Sequence, residues 1–218
     1  MKKRRALILL GGTWHDFDGF VRALAPRLEG DGWEVESSYD LGRLTRLERE
    51  AIDLVLTYTC FSLPAKGVAP VGAGKMEDDQ IESLADWVRD GGGLLAAHAS
   101  TSLGASSSAL GHLIGGMFVE HPPRMTFTVT PLYGDHQLVR DIQAFEVFDE
   151  LYFEHCEPEV EIQMVSLHAG TAYPLVWSKA EGRGRVAHVA LGHSAEVWEL
   201  EPYRRLMLQA AAWAAERN

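Results

Sequence analysis

The chain has 218 residues, 46% of them hydrophobic and 23% charged, with 31 acidic against 20 basic side chains and a net charge of −11. This is the balance of an ordinary globular protein with enough apolar material for a real core, and residues 1–218 read as one domain. It argues against a nucleic-acid partner or an anionic membrane surface, since both rely on lysine and arginine to neutralise phosphate, and it favours neutral or cationic small molecules.

Two cysteines, Cys60 and Cys156, lie far apart and in no metal-like spacing, the pattern of a reducing compartment. The opening "MKKRRALILLGG" imitates a secretory signal, but its apolar run, Ala6 to Leu10, is shorter than the roughly 7–15 residues such signals carry. It reads as a first strand with a basic lead-in. No stretch approaches the ~20 apolar residues of a membrane span. A cytoplasmic protein is expected.

In chain order, "ALILLGG" is a strand stopped by glycines, and residues 17–29 form a helix with Phe17, Phe20, Val21 and Leu24 on one face. Pro26 weakens its later part. "WEVESSY" and "IDLVLTYT" are the next strands. Residues 62–74, "SLPAKGVAPVGAG", form a surface loop that could act as a lid. Residues 76–89 give the clearest helix, with acids in its first turn and Ile81, Leu84, Ala85 and Val88 as an apolar stripe. "GLLAAH" follows as a fourth strand. Strands alternating with helices imply an α/β, doubly wound, mostly parallel sheet with helices on both faces. The second half changes character: "RMTFTVTP", "EVEIQMVSL", "YPLVWS" and "RVAHVALGH" are strand-like with few helices between them, which predicts antiparallel additions. "EGRGRV" is a tight hairpin turn. The tail from Pro202 to Asn218 is an amphipathic helix with Tyr203, Leu206, Met207, Ala210 and Trp213 inward. Apolar strand edges in the second half allow a homodimer.

In open parallel sheets, ligands gather beyond the carboxyl ends of the strands. The residues found there are Trp14, His15 and Asp16 after the first strand, Tyr58, Thr59 and Cys60 after the third, His98, Ser100 and Thr101 after the fourth, and His193, Ser194 and Glu196 after the last. Three of the nine histidines thus fall at strand exits that should converge. Imidazole titrates near neutrality, so such a set suits proton transfer or ligation. Between the halves lie Glu120 and His121, Asp135 and His136, and "FDELYFEH", which carries Asp149, Glu150, Tyr152, Glu154 and His155. Glu150 is the acid expected to turn into the cleft. His112, His168 and His188 read as structural. "GGTWHDFDG" follows a strand but lacks GxGxxG spacing, and no P-loop is present, so nucleotide binding is disfavoured.

The segments "LLGGTWHDF", "WVRDGGGLLAAHAST", "GGMFVEHPP", "FDELY" and "PLVWSKAEGRGRVAHVALGH", in this order and spacing, resemble the ThuA-like (trehalose utilisation) family. The resemblance covers nearly the whole chain. It implies a class I glutamine amidotransferase-like, flavodoxin-like fold. Such enzymes carry a cysteine at an elbow after the central strand, with a histidine and an acid near the sheet's C-terminal end. Aligned on "GLLAA", the elbow residue here is His98, while "LGHSAE" brings His193 and Glu196 to the partner positions. Glutamine hydrolysis needs a thiolate to form a thioester, and neither Cys60 nor Cys156 fits the elbow, so glutaminase activity is rejected. Ser100 or Thr101 remains as a displaced nucleophile.

What remains is a cleft with histidines and a carboxylate, read as an enzyme of carbohydrate utilisation acting on a disaccharide or an oxidised sugar. His98, His193 and Glu150 are the catalytic candidates for isomerisation, elimination or hydrolysis by proton transfer. A metal-dependent hydrolase is an alternative: His15, His98, His121 and His193 supply ligands for a divalent ion such as Zn²⁺, all of them long-range in sequence. Trp14, His15, Asp16, His121, Tyr152 and Trp198 are the substrate-binding candidates, the aromatics offering flat faces to sugar C–H groups. The other alternative is a non-catalytic sugar-binding or interaction module built on the same cleft.

Overall fold

A computed structural model describes residues 3–216. The basic lead-in before Lys3 and the tail residues 217–218 lie outside the described residues. One nine-stranded mixed sheet organises the chain. Its parallel part comprises β1 (Arg4–Gly12), β2 (Trp33–Ser38), β3 (Leu54–Cys60), β4 (Gly93–Ala97) and β11 (Gly184–Val189), in the order β2-β1-β3-β4-β11. The order continues through β10 (Thr171–Glu181), β9 (Glu161–His168), β6 (Met125–Pro131) and β7 (Phe145–Asp149), all joined antiparallel. A separate two-stranded ribbon pairs β5 (Gly116–Glu120) with β8 (Phe153–Cys156). The antiparallel extension expected from the second half is present; β5, β7 and β8 are short, polar-edged strands that the hydrophobic pattern did not mark.

Strand side chains alternate between two cores, as the pleat dictates. Ala6, Ile8, Leu10, Leu54, Leu56 and Val189 face one core, where Phe20, Leu24 and Leu28 of α1 (Phe17–Gly30) and Leu206, Met207 and Ala210 of α5 (Glu201–Ala214) meet them. Leu7, Leu9, Val55, Leu94 and Val186 face the other, against Ile81, Leu84 and Val88 of α2 (Asp78–Arg89) and Leu110 and Leu113 of α3 (Ser108–Ile114). Each such leucine, isoleucine, valine, methionine or phenylalanine side chain, when fully buried, stabilises the fold by about 1.5–3 kcal/mol before entropy is counted.

The helix over 17–29 runs through Pro26 to Gly30, with the Arg27 guanidinium hydrogen-bonded to the Ala23 carbonyl in the same turn. The 76–89 helix starts at Asp78, behind a capping box in which Glu77 and Gln80 bond each other's backbone. Trp213, expected inward, is only half-buried, with the Arg185 guanidinium 5.2 Å from its ring centroid. A short helix α4 (Ala195–Trp198) follows β11. Among the described residues, no helix is long and apolar enough to cross a membrane.

Candidate active site

The parallel strands deliver three histidines to one rim. After β1 the chain turns so tightly against β3 that a Cβ on Gly12 would sit 1.9 Å from the Cys60 carbonyl oxygen; glycine at φ +109° permits the approach. Thr13 then bonds the Cys60 carbonyl at 2.9 Å, Trp14 takes a left-handed φ of +70°, and His15 follows. β4 runs straight into a 3-10 turn, His98–Thr101, whose first residue has φ +47°. That is a sharp, strained elbow with an imidazole at its tip. After β11, Gly192 at φ +121° lies where a Cβ would meet the Tyr203 hydroxyl at 2.5 Å. Its carbonyl accepts bonds from Tyr58 (2.9 Å) and Trp198 (2.6 Å), so the turn that presents His193 is fixed from the core side.

The imidazoles of His15 and His98, and of His15 and His193, have centroids 4.9 Å apart; His98 and His193 stand 5.6 Å apart. Glu150, from the segment between β7 and β8, enters among them. Its Oε2 is 3.5 Å from His98 Nε2 and 3.2 Å from His193 Nδ1, and its Oε1 is 3.7 Å from His121 Nε2. Two outer bonds set the ring orientations: His98 Nδ1 donates to the Ala190 carbonyl at 2.6 Å and His15 Nδ1 to the Thr13 carbonyl at 2.9 Å. Both Nε2 atoms therefore point inward. His15 Nε2 is buried with no hydrogen-bond partner, and His193 Nδ1, though near Glu150, is not aligned for a bond. One ligand atom each from His15, His98, Glu150 and His193 lies within 4.8 Å of every other.

The electrostatics are uneven. Burial, with the nearby His98 and His193, lowers the pKa of His15 to about 3 against the Thr13 bond, so it is neutral at physiological pH. Burial opposes charge on His98, but the Glu150 bond, the Asp149 charge and the Ala190 carbonyl outweigh it and leave its pKa raised. Burial likewise opposes the Glu150 carboxylate, and the His193 and His98 contacts overcome it, holding the pKa well below the ordinary carboxylate value. Burial raises the Tyr152 phenol, which stays protonated with its oxygen 3.2 Å from His98 Nε2.

The family model described as trehalose utilisation, ThuA, matches residues 5–214. The chain belongs to the ThuA family. No curated protein matches it. Among solved structures it is similar to a ThuA-like protein of Parabacteroides merdae, with a TM-score of 0.77 and 17% identity over 98% of this chain and 90% of that one. A cytoplasmic protein of Salmonella typhimurium gives a TM-score of 0.65 and 11% identity over 97% and 98%. A β-galactosidase from Rahnella sp. R3 gives 0.67 and 14% over 97% of this chain but only 31% of that enzyme. At these identities the likeness is one of fold.

In this ThuA chain the candidates named from sequence separate into two groups. His15, His98, His193 and Glu150 come together, with Tyr152 against them and His121 at the outer edge, one-third exposed. As a ligand candidate His121 is displaced by Glu150, which lies between it and the other histidines. Trp14 stands on the rim, 58% exposed, with its indole N–H bonded to the Leu63 carbonyl. Asp16 faces away as the N-cap of α1, accepting from Gly19 N–H at 2.8 Å. Trp198 is a core residue, 4% exposed and edge-on to Phe20 and Tyr58, so it has no face to offer a ligand. Glu196 is exposed and paired with Arg124 at 2.9 Å, so the acid beside His193 is Glu150. Neither displaced nucleophile is free: Ser100 Oγ bonds the Thr57 and Ala97 carbonyls at 2.8 and 2.9 Å, and Thr101 Oγ1 bonds Glu154 at 2.5 Å. Cys60 is buried beside Thr13. Asp149, the neighbour of Glu150 at the end of β7, is fully buried.

Proposed function

We propose that this protein is an enzyme of carbohydrate utilisation whose centre is a divalent metal site made by His15, His98, His193 and Glu150. The observation that carries the reading is the pair of Nδ1–H bonds to the Ala190 and Thr13 carbonyls, which aim the Nε2 lone pairs of His98 and His15 at the point where Glu150 and His193 also converge. Metal-bound histidines characteristically donate their second nitrogen to such carbonyls. Three imidazoles and one carboxylate suit a borderline ion such as Zn²⁺. The low pKa of His15 supplies a neutral imidazole at working pH, as a ligand must be.

Such an ion would polarise a sugar carbonyl or hydroxyl, or acidify a bound water. The chain's own groups do the rest. Trp14 presents an open aromatic face at the rim. The His121 imidazole, one-third exposed beside the cluster, is placed to bind or orient a substrate hydroxyl, while the Tyr152 ring, expected as a ligand face, is buried with its protonated hydroxyl against His98. The substrate class rests on the family's association with trehalose utilisation and on the exposed aromatic rim. The fold reading that goes with this is a doubly wound, amidotransferase-like sheet whose elbow keeps its left-handed backbone and carries imidazole in place of a thiol, so glutamine hydrolysis is not its reaction.

A second reading has a specific observation behind it. The raised pKa of His98 and the lowered pKa of Glu150 describe an imidazolium–carboxylate pair that could move protons without metal. It leaves the buried, unpaired Nε2 of His15 without a purpose, and for that reason we place it second. Elemental analysis of the purified protein, Zn²⁺ titration by calorimetry, and turnover of a panel of disaccharides and keto-sugars before and after chelation separate the two. Tight binding of one ion with chelator-sensitive turnover supports the metal reading. Turnover indifferent to chelator, in a protein that binds no Zn²⁺, overturns it in favour of the second.

A further inference from the structure

We infer that Asp149 and Glu154 are positioning residues: two buried carboxylates on either side of Glu150 in the chain, each clamping one of the turns that present His193 and His98. Asp149, at the end of β7, is fully buried. Its Oδ2 accepts the Gly192 N–H at 2.7 Å, and its Oδ1 accepts the N–H groups of Glu150 at 2.9 Å and His193 at 3.3 Å. One carboxylate thus ties the backbone of Glu150 to the backbone of His193, whose side chains meet 3.2 Å apart. Both oxygens are needed, because three N–H donors approach from two sides.

Glu154, in β8, enters the core on the other side of the site. Its side chain has no exposure, and neither has that of His188, whose Nε2 lies 3.3 Å from Glu154 Oε2. Glu154 Oε1 accepts the Thr101 hydroxyl at 2.5 Å. Thr101 closes the turn that His98 begins, and His188 sits in β11 opposite Ala96 of β4, the strand that feeds that turn. Glu154 therefore ties the segment bearing Glu150 and Tyr152 to the elbow through Thr101, with the buried His188 imidazole of the neighbouring strand beside it but not aligned for a bond. Apolar residues of similar volume would fill this interior at less cost in desolvation than a carboxylate and an imidazole. What the polar groups add is direction: the segment is held at both ends, and Glu150 is left between His98 and His193, with His121 on its outer side.

The consequence for ligation rests on the metal-centre reading; the clamp geometry does not. The test therefore uses two readouts on the intact chain: side-chain ¹⁵N shifts of the histidines in metal-free protein at one fixed pH, and Zn²⁺ affinity by competition titration. Asp149→Asn replaces one acceptor oxygen by a donor and is expected to shift the His193 signals. Glu154→Gln is expected to shift those of His98 as well as its own partner His188. Each should weaken Zn²⁺ binding by roughly 10–100-fold, the effect typical of losing a group that orients a ligand. Thr101→Ser, which keeps the hydroxyl, should restore wild-type shifts and affinity, whereas Thr101→Val should behave like Glu154→Gln. Should Glu154→Gln fail to fold, the Thr101 pair decides its clamp; should Asp149→Asn fail to fold, Asp149→Glu, which lengthens the clamp by one methylene, takes its place, with shifted His193 signals expected and unchanged ones overturning it. Wild-type shifts and affinity in variants that merely melt earlier would overturn the inference. If wild-type protein binds no Zn²⁺, the metal reading falls, and the ¹⁵N shifts alone judge the clamps: unchanged shifts at His98 and His193 overturn them.

Discussion

The parallel and antiparallel parts of the sheet supply the site in different ways. β1, β4 and β11 each end in a strained or glycine-bearing turn, and each turn delivers one histidine. The antiparallel part delivers its contribution from a single stretch between β7 and β8, which brings Glu150 and Tyr152 sideways across the strand ends. The parallel part thus fixes where the imidazoles stand, and the crossing segment supplies the one carboxylate among the four converging donors. An imidazole cluster alone would be three mutually repelling bases; Glu150 makes it a site.

The sharpest way to break this division is to remove the crossing carboxylate. Glu150→Gln should lose Zn²⁺ affinity by at least the roughly 10–100-fold seen when metal-site partners are lost, with the circular dichroism of the wild type retained; equal affinity would mean the parallel half suffices. Next in size, His193→Ala should weaken Zn²⁺ binding by less than Glu150→Gln does, while His121→Ala, farther from the converging atoms, should alter turnover more than affinity. Calorimetry on the two variants would show the order, and a reversed order would restore His121 as a ligand.

A pH measurement sharpens the comparison further. His15 has a pKa near 3 in the folded state against 6.5 unfolded, so between those values the unfolded chain holds a proton that the native one lacks. The stability this represents is present above about 6.5 and is lost as the pH falls toward 3. Glu150, lowered from 4.5, acts in the same direction only below that value. His98, with a raised pKa, has the opposite sign: its contribution is present below 6.5 and is lost as the pH rises through the higher folded value. In metal-free protein, urea midpoints should therefore fall from pH 6.5 to 4.5 through His15 alone among these three groups, His98 acting only above 6.5, and His15→Gln should remove that fall. An unchanged slope in His15→Gln would show that His15 is not held neutral by burial. The smallest effect is expected at the rim. Trp14→Ala should weaken sugar binding by about 0.5–1.5 kcal/mol, a severalfold change, without altering Zn²⁺ affinity.

The comparison also explains what could be read from the sequence. His15, His98 and His193 were legible because a parallel strand announces its own carboxyl end: an apolar run stops, and the next residue is at the rim. Glu150 was found only as one acid among several in "FDELYFEH", since nothing local shows which way an irregular segment turns. The same blindness leaves Glu196 at the partner position that the resemblance implied, although Arg124 draws it outward. It also took Trp198 for a ligand face, when its indole holds the Gly192 carbonyl inside the core. β5, β7 and β8 escaped notice because runs of four or five residues carry too little periodicity to stand out. With them went Asp149 and Glu154, whose burial is a product of tertiary packing.

The loop from Ser62 to Gly74 is stitched to the β1 turn at both of its ends. Ser62 and Leu63 receive bonds from Thr13 and Trp14, and Val71 exchanges two backbone bonds of 2.8 Å with Gly12. The loop cannot move as a whole without dislodging the stretch that leads into His15. The residues numbered 64–70 lie between these two points of attachment. The same bonds that hold the loop therefore also brace the turn that leads to the imidazole.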